Sequence, residues 1–170
     1  MRVTPKVAVG IAVVIVVAIV AVFALRGLFA PEPGPPPITG PERAEDARAL
    51  LAQYERSGRV DHDDAYDHAR RFQRDGQLAD AQLLLFYSAR ANHGPSAFAL
   101  ATMNDPNHHS ADTSLLPEPD AYQAYRWYAV AREQGVDEAP ERLAALRDWA
   151  VAAAAAGDAA AERFLLSIDE

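Results

Sequence analysis

The residues most able to do chemistry lie in two polar stretches. In "NDPNHHSADTS", His108 and His109 stand beside Asp105 and Asp112. Adjacent imidazoles with a carboxylate could offer three ligands to a metal. Zinc sites, however, usually show helical or hairpin ligand spacing, and that spacing is missing here. In "DHDDAYDH", His62, Asp63, Asp64, Asp67 and His68 form an acidic cluster. It lacks the glycine-centred loop of a calcium-binding hand and reads as acids favoured in the first turn of a helix. His93, just before Gly94, suits the end of a helix, where a cation is favourable. The chain has no cysteine nucleophile, no G-x-S-x-G turn and no phosphate-binding glycine loop. No catalytic residue, cofactor-binding residue or metal ligand is therefore expected, and neither is enzymatic activity.

The elements that would position these residues begin after a membrane-like start. Residues 7–25, "VAVGIAVVIVVAIVAVFAL", carry no charged side chain and are long enough to cross a bilayer as a helix. A cleaved signal peptide would have a shorter apolar region, so residues 1–30 are expected to be an uncleaved anchor. Arg2 and Lys6 precede the span and favour a cytoplasmic amino terminus, with the remainder exported through the inner membrane. Residues 31–41 hold five of the prolines before Pro41 and read as an extended linker. Residues 42–170 are the working domain. All 24 acidic residues lie beyond the span, against 14 arginines there. A charge of that sign repels nucleic acid.

Within that domain the periodicity is helical throughout, and an all-α array of seven short helices is expected. The first runs from Pro41 to Gly58 with Ala47, Leu50, Leu51 and Tyr54 inward, the second to Gly76 with Ala65, Ala69 and Phe72 inward. The third, "LADAQLLLFYSARANHG", is expected to bury Leu83, Leu84, Phe86, Tyr87 and Ala91 on two sides. Three helix endings look alike. "LLLFYSARANHG" places Phe86 and Tyr87 before Gly94, "AYRWYAVAREQG" places Trp127 and Tyr128 before Gly135, and "LRDWAVAAAAAG" places Trp149 before Gly157. Each glycine is expected to close its helix in the left-handed conformation, with large side chains filling the gaps between stacked hairpins.

The second of these stretches resembles a Sel1-like repeat, a relative of the tetratricopeptide repeat. Asp120, Ala124, Trp127, Tyr128, Ala131 and Gly135 match the second half of the family pattern D-x-x-x-A-x-x-W-Y-x-x-A-A-x-x-G, with Arg132 replacing the second alanine. Ala97, Leu100 and Ala101 suit the first half, while Asn104 stands where tyrosine is usual. Residues 47 to 69 look like a worn second copy, and a compressed third surrounds Trp149, Ala153 and Gly157. The resemblance implies an α-solenoid that binds a protein partner without catalysis, its motif residues being core and turns, and residues 7–25 would anchor it to the membrane. The alternatives are a regulatory subunit or enzyme of the bacterial envelope, and a self-assembling protein joined through "AERFLLSIDE". Tyr122, Tyr125 and Arg126, left off the inward face, are the candidate partner contacts. The competing and favoured reading packs them beneath the long preceding loop, whose Leu115 and Leu116 need cover.

Overall fold

The structure, a computed structural model, describes residues 44–168. The expected span at 7–25 and the proline linker at 31–41 lie outside the described residues. The described residues contain seven α-helices and no strand: α1 (Glu45–Ser57), α2 (His62–Arg74), α3 (Leu78–Arg90), α4 (Gly94–Asn104), α5 (Ala121–Glu133), α6 (Ala139–Ala155) and α7 (Ala159–Ile168). Among them no helix is long and apolar enough to cross a membrane.

Local chemistry starts most of these helices. The Asp61 side chain accepts from Asp64 N at the head of α2, Asp120 from Gln123 N at α5, and Asp158 from Ala160 N and Ala161 N at α7. Pro95 and Pro140 occupy the first turns of α4 and α6, where their missing N–H is no loss. Helix α1 is different. Ala44 has no capping side chain, and the vacant role falls to Asp80 in the first turn of α3, whose Oδ1 accepts from Ala47 N at 2.7 Å. That carboxylate is only 2% exposed.

From α2 onward, each helix packs on the next along the chain, while α1 skips to α3 and α7 also touches α5. Two apolar clusters result. One is centred on α1 to α4 around Leu84, Leu85, Leu100 and Met103, with Ala131 of α5 and Ala139 of α6 joining it, and the other is centred on α5 to α7 around Tyr128, Leu146 and Phe164, with Ala101 of α4. Phe98 and Trp127 pack against both, so the core is continuous along the array.

The helix endings repeat, but in a register different from the one expected. Four helices close with the same pair of backbone bonds around one left-handed residue: Gly76 after α2, Asn92 after α3, Gly135 after α5 and Gly157 after α6. The longer-reaching bonds are Gln77 N to Phe72 O, His93 N to Ser88 O, Val136 N to Ala131 O and Asp158 N to Ala153 O, at 2.8 to 3.1 Å. Counting back eleven residues from the left-handed one gives Ala65, Ala81, Ala124 and Leu146, all fully buried. Counting back seven gives Ala69, Leu85, Tyr128 and Ala150, again all fully buried. Positions four apart share one face of a helix, so each ending presents the same two inward sites.

The third helix is thus misaligned in the sequence reading by two residues. Leu84 and Leu85, rather than Phe86 and Tyr87, stand where Trp127 and Tyr128 stand in α5. The buried stripe of α3 runs through Ala81, Leu84, Leu85, Ser88 and Ala89, while Phe86 is 43% exposed and Ala91 is exposed. The physical reason is that asparagine tolerates the left-handed conformation better than other non-glycine residues. Asn92 takes it with φ 63°, which leaves Gly94 free for another task. Gly94 opens α4 in close contact with the end of α5. A Cβ there would lie 2.9 Å from Gln134 Cβ and 3.0 Å from Val136 Cγ2.

Candidate partner-binding groove

The two polar stretches are held by the fold in structural roles. Asp105, fully buried just past α4, accepts from the Tyr128 hydroxyl at 3.0 Å and from Asn107 N at 2.9 Å. Burial pushes the Tyr128 phenol above its ordinary range, with the Asp105 carboxylate adding to the effect, so the hydroxyl stays protonated and donates. His109 Nε2 meets the Leu116 carbonyl at 2.9 Å, and His108 turns toward Arg142. Asp112 joins neither histidine, and among the described residues no group of three such side chains could hold a metal.

At the head of α2, His93 Nδ1 lies 2.8 Å from Ser96 Oγ and its Nε2 lies 3.0 Å from Asp63 Oδ1. His62 Nδ1 approaches Ser88 Oγ at 3.3 Å, and the two imidazoles stack at 6.2 Å. A hydroxyl, an imidazole and a carboxylate in a row have the ingredients of a nucleophilic relay. Ser88 and Ser96 are both fully buried, though, and neither hydroxyl faces solvent. The cluster instead ties the start of α2 to the α3–α4 turn. His93 therefore opens α4 and faces Asp63, as well as following the end of α3, the place expected of it.

No protein-family model, curated protein or solved structure matches the chain.

The three candidate partner contacts on α5 divide. Tyr125 packs edge-on against Phe164 of α7 at 6.0 Å and belongs to the second apolar cluster. Tyr122 is 47% exposed, with the Arg126 guanidinium 5.9 Å above its ring. The expected cover from Leu115 does not form, because Leu115 is itself exposed. Leu116 and Tyr122 both line a groove of about 580 Å³. One wall is residues 116–121 with Tyr122, and the other is built by Trp149 of α6 and by Ala160, Arg163, Phe164 and Ser167 of α7. The lip is fixed before anything binds: His109 holds the Leu116 carbonyl, Ser114 Oγ accepts from Leu116 N at 3.1 Å, and Asp120 N donates to Asn104 O at 2.9 Å.

The α7 wall escaped the sequence reading, in which Phe164, Leu165 and Leu166 serve only as an end face in the self-assembly alternative. A signal was available in the spacing of Ala160, Arg163, Phe164 and Ser167, which shares one helical face. A second groove, of about 440 Å³, lies beside His62, Leu83, Phe86, Tyr87 and Arg90. There Arg90 covers the Phe86 ring at 5.8 Å, and Phe86 meets Trp127 edge-on at 5.9 Å.

Proposed function

We propose that the chain is a non-catalytic protein–protein interaction module, built of Sel1-like helical hairpins and held at the inner membrane by residues 7–25. The array projects to the extracytoplasmic side, and the groove beside Tyr122 takes the partner. The observation that carries this reading is the fixed, aromatic-walled groove, with Tyr122 exposed in a wall whose backbone is already hydrogen-bonded. A surface set in advance loses little ordering entropy when a partner docks.

The roles of the motif residues support the family reading. Ala97, Leu100 and Ala101 of α4 and Ala124, Tyr128 and Ala131 of α5 are buried, Asp120 caps α5, and Gly135 is left-handed. Their work is packing and turning, which leaves recognition to the side chains between them. Charge supports a protein partner over nucleic acid, since the domain is acidic and the groove has one basic wall residue, Arg163.

A photoreactive residue at Tyr122 tests this in native membranes, with the exposed Glu55 of α1 as control. A discrete adduct from position 122 alone is expected. Equal, diffuse labelling from both positions would end the reading. Self-assembly is the second reading, favoured by the 67% exposure of Leu166. Light scattering of the full chain in detergent would show it as a stoichiometric oligomer lost in Leu166→Glu.

A further inference from the structure

We propose that the groove beside Tyr122 takes a proline-rich segment in the polyproline II conformation, with an acidic residue set against Arg163. This rests on the reading of the groove as the partner surface and names the chemistry of what enters it.

Hydrogen-bonding capacity carries the argument. The Trp149 indole N–H, the Tyr122 hydroxyl and the Arg163 guanidinium make no hydrogen bond among the described residues. None of them is a buried unsatisfied atom either, so all three remain able to donate outward. Those three groups are therefore free donors, while Glu118 and Asp120 keep acceptors on the lip. A ligand complementary to the three donors must offer acceptors that its own backbone does not use. Polyproline II fits this, because its carbonyls have no internal partners and its prolines carry no N–H.

The other extended and helical ligands fit less well. A β-strand needs a sheet edge to receive its N–H groups, and the described residues contain no strand. A bound helix satisfies its own backbone and would leave the three donors to side chains alone. The rings of Tyr122 and Trp149, over a floor of Phe164, supply apolar faces for pyrrolidine rings. Charge sets the direction. Arg163 has no acidic partner within the described residues, whereas Glu118 and Asp120 occupy the opposite lip. An acid on the ligand is welcome beside α7 and opposed beside the lip.

The chain contains two tryptophans, Trp127 and Trp149, so two indole N–H signals report on the two sides of the array. The full ¹⁵N-labelled chain in detergent is titrated with decaproline, and with the same peptide carrying one central glutamate. A saturable shift of the Trp149 indole signal is expected, with Trp127 unmoved. The glutamate peptide is expected to bind about two- to fivefold more tightly, and Arg163→Gln to abolish that difference. Tyr122→Phe, which keeps the ring, is expected to weaken binding roughly two- to twelvefold with the rest of the spectrum preserved.

No saturable Trp149 response to either peptide at about millimolar concentration overturns the proposal. So does an equal response to a glycine–serine decapeptide, or tighter binding of an alanine-based helical peptide. A discrete Tyr122 adduct in membranes together with no decaproline response would remove the proline-rich ligand alone and leave the partner surface standing.

Discussion

Replacing Gly94 by alanine, together with two companion variants at Val136 and Asn92, separates the register described here from the one suggested by the helix endings. Were Gly94 a left-handed cap, alanine would suffer backbone strain of about 1–2 kcal/mol, whatever lay nearby. Were it an ordinary open position in the first turn of a helix, alanine would stabilise by about 0.4–1 kcal/mol through the unfolded chain. In the structure Gly94 is helical, and the penalty comes from contact with α5. A methyl there would stand 2.9 Å from Gln134 Cβ and 3.0 Å from Val136 Cγ2. Neither atom is the tip of a flexible side chain, so the whole turn after α5 must shift. Overpacking of this kind costs about 1–3 kcal/mol. Less the unfolded-state gain, a net loss of about 1–2 kcal/mol follows, or a midpoint lower by roughly 3–8 °C. Thermal loss of helical circular dichroism in the full chain reads it. Two further variants locate the cause. Val136→Ala, combined with Gly94→Ala, should recover part of the loss, because it removes one of the two clashing atoms. Asn92→Gly should be neutral or slightly stabilising, because Asn92 already holds the left-handed place. A stabilised Gly94→Ala chain would refute the close approach of α4 and α5.

Asp80→Ala should destabilise by about 1–2 kcal/mol in urea unfolding, since it removes the carboxylate that accepts from Ala47 N at the head of α1; Asp80→Asn, which keeps an acceptor, should cost less. Tyr128→Phe should cost about 1.5 kcal/mol by the same measurement, the low end for a bond to a carboxylate, because Asn107 still serves Asp105. Stability should also decline in strong alkali. The Tyr54 and Tyr128 phenols are both held above their ordinary value of 10.0, chiefly by burial, with Asp64 and Asp105 adding. A raised folded value means that the folded chain keeps these protons more tightly, so the contribution is whole below about pH 10 and is lost as pH rises beyond it. Urea titrations from pH 8 to 12 should therefore show a steeper fall in the native chain than in Tyr54→Phe/Tyr128→Phe.

Much of the array was legible because its signals are local. Asp61 and Asp120 cap their helices through bonds three residues long, and Gly58, Gly76, Gly135 and Gly157 stop them within a turn. A reading of spacing and residue type reaches such contacts. The inward faces of α1 and α2 were likewise visible in Ala47, Tyr54, Ala65 and Ala69, which are buried. The α3–α4 turn was misread because its left-handed residue is an asparagine and a glycine happens to follow. Nothing local distinguishes a glycine needed for its φ from one needed for its missing Cβ, since the latter depends on Gln134, far along the chain. The groove divided on similar lines. Tyr122 and Arg126 were picked out as leaving the inward face of α5, but the fate of Tyr125 depends on α7, whose distance in sequence hides the contact with Phe164.

The borrowed cap of α1 has a consequence for synthesis. Ala47 and Asp80 are 33 residues apart, so the carboxylate that completes the first helix leaves the ribosome well after the helix itself. At about 5–20 residues per second the delay is roughly 2–7 s, long compared with the microseconds in which a helix forms and melts. Throughout that interval α1 has its sequence but not its start. Its docking on α3 therefore supplies packing and cap in a single event, and the amino-terminal end of the array is completed from downstream.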